Sequence, residues 1–359
     1  MLTHLTLFIT AGVLSLLITP VVRSLASRWN IVDLPDARRL HTGRVPRLGG
    51  LAVLFAVFGA LVSSRFFGFP ETSDLLARDG HLAWLLAGTL AVVGVGILDD
   101  VWQIGPSLKL MGQVLAATLV LTGGGYQIRS ITNPVSGDLI NLGVFGSATT
   151  VFWIVGVTNA FNLIDGLDGL ASGVGLIAAV TISLLAIAQG RPDAALIATP
   201  LAGALGGFLF YNSHPATIFL GDTGAFLIGY VLAAVSIQGL QKGPTVAVLA
   251  VPLIALGLPI LETLITIQRR LTRSGATSVW RSDADHIHHR LVFAGMSQRR
   301  AVLLLYAVSA GLAGLACLAV FVGGPGSAVA VVVVAFAVYA WLRRLGYLSA
   351  DRAHSGNLG

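Results

Sequence analysis

Charge is what this sequence has least of. Only 11% of its 359 residues are Asp, Glu, Lys or Arg, against roughly 25% in soluble domains, which excludes an ordinary water-soluble globule. Cysteine is nearly absent as well: Cys317 stands alone in an apolar stretch, so no disulfide within the chain is possible and the thiol reads as packing. Long polar segments are missing, the longest being about 23–47, 124–147 and 268–300, which leaves no room for a hidden soluble domain. No basic run interleaved with aromatics and no helix-turn-helix pattern is present, which argues against DNA or RNA as a partner. Nor is there a convincing internal repeat of the kind an inverted-repeat transporter would show.

What is abundant is apolar sequence. Hydrophobic residues make up 55% of the chain, and stretches long enough to cross a hydrocarbon core of about 30 Å recur between polar or Gly/Pro breaks. The reading is an all-α polytopic membrane protein with about eleven transmembrane helices, at roughly 4–22, 48–67, 81–98, 108–123, 148–161, 170–188, 194–211, 223–240, 245–267, 301–321 and 328–342. Ten helices with a re-entrant piece is the alternative, because the fifth span is short. Residues 1–348 read as a single integral membrane domain and 349–359 as a disordered cytoplasmic tail. Between Tyr126 and Leu142, apolar residues flank Asn133-Pro134 and Ser136-Gly137, which predicts a small β-hairpin at the outer surface. Pro252 and Pro259 predict a kinked or broken ninth span.

Orientation follows from the basic residues. With the N-terminus outside, 17 of the 22 Lys and Arg fall on inside segments, and only Arg65, Arg78, Arg129, Arg191 and Lys242 fall outside. That asymmetry places the chain in a cytoplasmic (inner) membrane as a multi-pass protein, N-terminus out and C-terminus in. The first span lacks a basic leader and is followed by Arg23 and Arg28, so it reads as a retained anchor. Attraction to anionic headgroups of membrane lipids accounts for part of the Arg excess.

Four polar signatures interrupt the apolar pattern: Asp99-Asp100, Asn162-Leu-Ile-Asp165-Gly-Leu-Asp168-Gly, Gly221-Asp222 and His286-Ile-His288-His289. In this topology all four reach the cytoplasmic face. Carboxylates at helix ends are costly unless they meet water, metal or partner charges. Five of them at one level therefore point to shared chemistry on the cytoplasmic face. With an Asn they form an all-oxygen environment suited to Mg²⁺ or Mn²⁺ rather than zinc. A phosphate substrate next to so much negative charge needs cations, and the Arg- and His-rich loop of 269–290 supplies them. Metal on one side and phosphate grip on the other is the division of labour of phosphoryl transfer. The histidines also admit a zinc reading and a plain solvated-loop reading, and the acids a helix-capping one.

At these residues the chain resembles the polyprenyl-phosphate N-acetylhexosamine-1-phosphate transferase family, which includes WecA-type enzymes and the phospho-MurNAc-pentapeptide translocases. The likeness runs through Val32-Asp33-Leu-Pro35 to Arg39-Leu-His41, Pro46-Arg47-Leu-Gly49-Gly50, Leu98-Asp99-Asp100 with Lys109, Asn159-Ala-Phe-Asn162 to Asp168-Gly, Asn212-Ser-His214-Pro215 to Asp222, and Asp283 to Arg290-Leu. It implies transfer of a sugar 1-phosphate from a UDP-N-acetylhexosamine to polyprenyl (undecaprenyl) phosphate. UMP would be released and the lipid-diphosphate-sugar that starts cell-envelope polysaccharide synthesis formed.

The resemblance also implies roles. Asp99, Asp100 and Asp222 become candidate catalytic carboxylates, and Asn162, Asp165 and Asp222 candidate Mg²⁺ ligands. Lys109, Asp165, Asp168, Asn212, Arg281, His286, His288, His289 and Arg290 become candidate substrate-binding residues. A lipid phosphate monoester has a second pKa near about 6 and is already largely dianionic at neutral pH, so direct attack is expected over a covalent aspartyl intermediate.

The His-x-His-His form resembles the branch that uses UDP-N-acetylhexosamines. Two departures stand out: Glu262 where this branch often has Asp, and Gln103 where some members carry a third Asp. A homodimer stays open. The competing readings are a CDP-alcohol phosphotransferase, whose opening Asp165-x-x-Asp168-Gly echoes, and an ion-coupled transporter. The first lacks its Ala-Arg pair and later acids here, and the second expects acids near the bilayer midplane.

Overall fold

The computed structural model describes residues 1–33, 43–69, 71–72, 75, 80–132, 138–239, 256–273 and 287–322. Its helices are α1 (Leu2–Arg28), α2 (Gly49–Ser63, continued by a 3₁₀ turn over Ser64–Phe67), α3 (His81–Trp102), α4 (Pro106–Thr122), α5 (Phe145–Ile164) and α6 (Leu170–Ala188). They continue as α7 (Pro192–Asn212), α8 (Gly221–Gly239), α9 (Gly257–Arg273), α10 (Ile287–Phe293) and α11 (Gln298–Val322). Among the described residues there are also two short antiparallel pairs. β1 (Val32–Asp33) pairs with β2 (Val45–Pro46), and β3 (Ser130–Thr132) pairs with β4 (Leu139–Asn141), Ile131 opposite Ile140.

Eight helical segments among the described residues are long and apolar enough to cross a membrane: α1, α2 with its 3₁₀ extension, α3, α5, α6, α7, most of α8, and the part of α11 up to Leu318. The segment expected at 108–123 is a shorter apolar helix, α4, which starts on Pro106, where a missing N–H costs no hydrogen bond. The expected span at 245–267 is described only from Leu256, and the one at 328–342 lies outside the described residues, as does the tail. Pro259 falls in the first turn of α9, so within that helix it removes no ladder bond; Pro252 lies outside the described residues.

Helix α8 is the axis of the bundle. Of its apolar window 83% is buried, against 28% for α1 at the periphery, and it packs against α2, α3, α5, α6 and α7. Between helices in lipid, close van der Waals fit replaces the hydrophobic drive, and small residues permit it. At the start of α8 the fit is tight enough to exclude a side chain. A Cβ on Gly50 of α2 would lie 2.2 Å from the Gly224 nitrogen, and one on Gly96 of α3 would lie 2.5 Å from Thr223 Cα.

These contacts bring one end of several helices together. The segment after β2 pairs with the approach to α8: Phe219 N–H donates to Pro46 O (2.8 Å), Gly49 N–H to Phe219 O (3.0 Å) and Gly50 N–H to Leu220 O (2.9 Å). The start of α2, the end of α3, the start of α4, the end of α5 and the starts of α6 and α8 thereby share one level. The opposite end holds the β3–β4 pair, where Ile128 N–H donates to Thr150 Oγ1 (2.8 Å) and His81 Nδ1 meets Gly124 O (2.7 Å).

Candidate active site

The site is built on the first turn of α8. Gly221 adopts φ +73, a left-handed conformation open to glycine at little cost, and a Cβ there would sit 2.5 Å from Asp100 Oδ2. The turn therefore presses its backbone directly onto the Asp100 carboxylate. Asp100 Oδ1 accepts Asp222 N–H (3.0 Å), and Oδ2 accepts both Thr223 N–H (3.1 Å) and Thr223 Oγ1–H (2.6 Å). A buried carboxylate on α3 thus accepts two of the free amides of the α8 N-terminus and faces its positive dipole end. The adjacent Asp99 is turned elsewhere.

Asp99, Lys109 and Asp222 form a charge chain across three helices. Lys109 Nζ lies 2.6 Å from Asp99 Oδ2 and 2.8 Å from Asp222 Oδ2. The other Asp222 oxygen accepts Asn162 Nδ2–H at 2.9 Å. Lys109 comes from the first turns of α4 and Asn162 from the last turn of α5. Their helices are registered by an amide pair one turn further in: Gln113 and Asn159 bond side chain to side chain, and Asn159 Nδ2 also reaches Val155 O (2.8 Å).

Asp165 caps α5, its N–H donating to Asn162 O (3.3 Å). Burial, and after it the negative charges of Asp222 and Asp100, push its pKa well above the ordinary carboxylate value, while Arg47 pulls the other way. Arg47 pairs with Asp33 and stands 3.9 Å from Asp100 Oδ1. Sequence reasoning assigned no role to Arg47, Asp33, Thr223 or Gln113. The first two lie within motifs that carried the resemblance, but nothing in their spacing said they would fold against the Asp pair.

Two predicted substrate-binding residues are committed to the protein itself. Asn212 is 3% exposed; its Oδ1 accepts Ser172 Oγ–H (2.7 Å) and its Nδ2–H donates to Ile218 O (3.0 Å). Asp168 Oδ2 accepts Ala216 N–H (3.1 Å) and lies 2.8 Å from His214 Nδ1. Both side chains brace the 213–218 connection that delivers the chain to Gly221. Arg281 and His286 lie outside the described residues, as do the side chains of His288 and His289, whose backbone belongs to α10. Arg290, on the same short helix, is half-buried.

The oxygen donors suit a hard cation in part. Among the described residues no three His, Cys, Asp or Glu side chains converge as a cage. Asp222 and Asn162 face each other, however, with Asp99 one lysine away. Rotating the Asn162 amide exchanges its nitrogen for oxygen. A Mg²⁺-type ion commonly takes one or two carboxylates and completes its shell with water and substrate phosphates. The residues present fit that mode.

Comparison with known proteins agrees with the geometry. The Glycosyl transferase family 4 profile matches residues 82–240, from α3 through α8. The chain is 36% identical over 301 residues to a probable undecaprenyl-phosphate N-acetylglucosaminyl 1-phosphate transferase of Bacillus subtilis, covering 84% of this chain and 80% of that protein. It is 35% identical over 319 residues to the decaprenyl-phosphate N-acetylglucosaminephosphotransferase of Mycobacterium tuberculosis, covering 83% and 78%. It is 30% identical over 319 residues to the phospho-N-acetylmuramoyl-pentapeptide-transferase of Halalkalibacterium halodurans, covering 86% and 93%. None of these relatives is named as a CDP-alcohol phosphotransferase or a transporter. On a likeness that spans more than four fifths of its length, the chain belongs to glycosyl transferase family 4.

Proposed function

We propose that this membrane protein transfers N-acetylglucosamine 1-phosphate from its UDP-linked form to a polyprenyl phosphate, with UMP as the leaving group. The family and the names of its relatives support the reaction. The observation that ties it to this chain is the Asp99–Lys109–Asp222–Asn162 cluster, drawn from four helices to one level of the bundle. The Arg asymmetry of the sequence supports a cytoplasmic position for that level, an inner-membrane location and an N-terminus outside.

The chain's residues act by placement and charge. An oxygen of the lipid phosphate attacks the sugar-bearing phosphorus as the bond from that phosphorus to the oxygen bridging it to UMP breaks, and UMP leaves with the electron pair. The attacking phosphate is already dianionic at neutral pH, so no strong base is required. A divalent cation, held by Asp222 and Asn162 with help from Asp165, would supply charge neutralisation to the diphosphate. Lys109 fixes the separation of Asp99 and Asp222 and offers its ammonium to a phosphate oxygen. Asp99 faces the acceptor. Asp100 holds Asp222 in place through the backbone rather than touching substrate. Arg281, His286, His288, His289 and Arg290 grip the donor's diphosphate and sugar.

Purified protein given UDP-N-acetylglucosamine and undecaprenyl phosphate should release UMP only when both are present, and chelation should abolish the reaction until Mg²⁺ or Mn²⁺ returns. UMP release without acceptor, or full turnover in chelator, would refute the assignment.

A further inference from the structure

The turn that carries Asp165 and Asp168 is held from outside by a residue that lies in none of the four polar signatures. Tyr306, on α11, donates its phenol to Gly169 O at 2.5 Å. The same carbonyl accepts Gly173 N–H at 2.8 Å, the first bond of α6. Gly169 has φ +78, so it is where the chain reverses from the turn into the helix. The aromatic ring lies across α6 at Gly173, where a Cβ would come within 2.1 Å of Tyr306 Cζ. Two glycines one helical turn apart thus form a slot that admits this ring and aims its hydroxyl at the end of the Asp165–Gly169 turn.

Tyr306 is also tied to the His-bearing side of the protein. α10 and α11 are separated only by residues 294–297. That corner is closed by Ala294 N–H to Arg290 O (2.8 Å), Gly295 N–H to Val292 O (3.0 Å) and Met296 N–H to Leu291 O (3.1 Å). Leu291 anchors it in the core at 5% exposure. α11 packs on α6. A shift of α11 along α6 would therefore move α10 relative to the carboxylate turn, and the Tyr306–Gly169 bond opposes such a shift.

We infer that Tyr306 is a positioning residue: it locks the Asp165–Gly169 turn and sets its register against the helix that bears His288, His289 and Arg290. Its consequence for catalysis rests on the function proposed above, in which Asp165 helps hold the cation at the donor's diphosphate and the α10 residues grip the donor.

The test uses the full-length protein with Tyr306→Phe, which keeps the ring in its slot and removes one hydroxyl, and Tyr306→Leu, which removes both. Loss of one hydrogen bond to a buried carbonyl corresponds to about a five- to tenfold effect. Tyr306→Phe should raise KM for UDP-N-acetylglucosamine by about that factor, leave KM for undecaprenyl phosphate within about twofold, and speed amide hydrogen exchange across 165–173. Tyr306→Leu should match Phe in donor KM, because the hydroxyl, and not the ring that aims it, bonds to the Gly169 carbonyl. Gly173→Ala, which displaces the ring, should reproduce the defect and add little to Tyr306→Phe. Wild-type donor KM and unchanged exchange in Tyr306→Phe would overturn the inference, as would a defect seen only in the Leu variant. Should the parent protein fail to use this donor, faster exchange in Tyr306→Phe would still establish the lock while the proposed function fell.

Discussion

The two adjacent acids of α3 should fail in different ways when neutralised. Asp100 receives three donors on two oxygens at 2.6–3.1 Å and is 7% exposed. In Asp100→Asn a single oxygen remains. If it faces Thr223, the new amide nitrogen opposes the Asp222 N–H, leaving that part-buried donor without an acceptor. An unsatisfied buried group costs about 1–3 kcal/mol, and loss of a partly buried negative charge at a helix N-terminus adds up to about 2 kcal/mol. The variant should lose roughly 1–5 kcal/mol of stability on these figures and unfold at a lower temperature in detergent. Its turnover should fall because Asp222 is displaced. Asp99→Asn instead weakens one charge-assisted contact to Lys109 and leaves the start of α8 intact, so it should unfold near the wild-type temperature while turnover falls. Thermal unfolding and UMP release on the same preparations compare the two. If Asp100→Asn unfolds like wild type yet is as inactive as Asp99→Asn, Asp100 acts on substrate and the helix-anchor reasoning is wrong.

Three further outcomes are expected. Lys109→Ala leaves Asp99 and Asp222 without the cation between them; with charge-assisted bonds worth about 1.5–3 kcal/mol each, turnover at saturating substrates should drop about a hundredfold or more, and retention of half the activity would dismiss the bridge. Asn212→Ala strands Ser172 Oγ and Ile218 O in the interior and should lower the unfolding temperature more than it changes donor KM; a donor defect at wild-type stability would restore a direct substrate role. With Cys317 replaced, single cysteines at His41 and Arg281 should label from the cytoplasmic side and one at Gln189 from the outer side, and the reverse pattern would place the site on the wrong face.

Much of the site was legible because charge in an apolar chain is conspicuous: Asp99, Asp100, Asn162, Asp165 and Asp222 stand at the ends of apolar segments, and the structure brings them to one level. The helices themselves were read from length and apolarity, which fix α2 to α8 within about four residues, while α1 runs six residues past its expected end at 22. What sequence did not convey is the direction in which a polar side chain looks. Asn212 and Asp168 sit in motifs beside Asp222 yet bond to Ile218 O, Ser172 and Ala216 N–H. Asp100 and Asp99 are neighbours that face different partners because consecutive helical side chains point about 100° apart. Tyr306 and Arg47 were invisible as site supports for another reason. Their contacts join segments 137 and 53 residues apart, and no local pattern records a pairing that only the packed bundle creates.

The central claim is that phosphorus moves with the sugar. UDP-N-acetylglucosamine labelled at its β-phosphate, incubated with the purified protein, Mg²⁺ and undecaprenyl phosphate, should deliver the label to the organic-phase lipid and leave UMP unlabelled in the water. Label retained in aqueous UDP, with the sugar alone on the lipid, would contradict it.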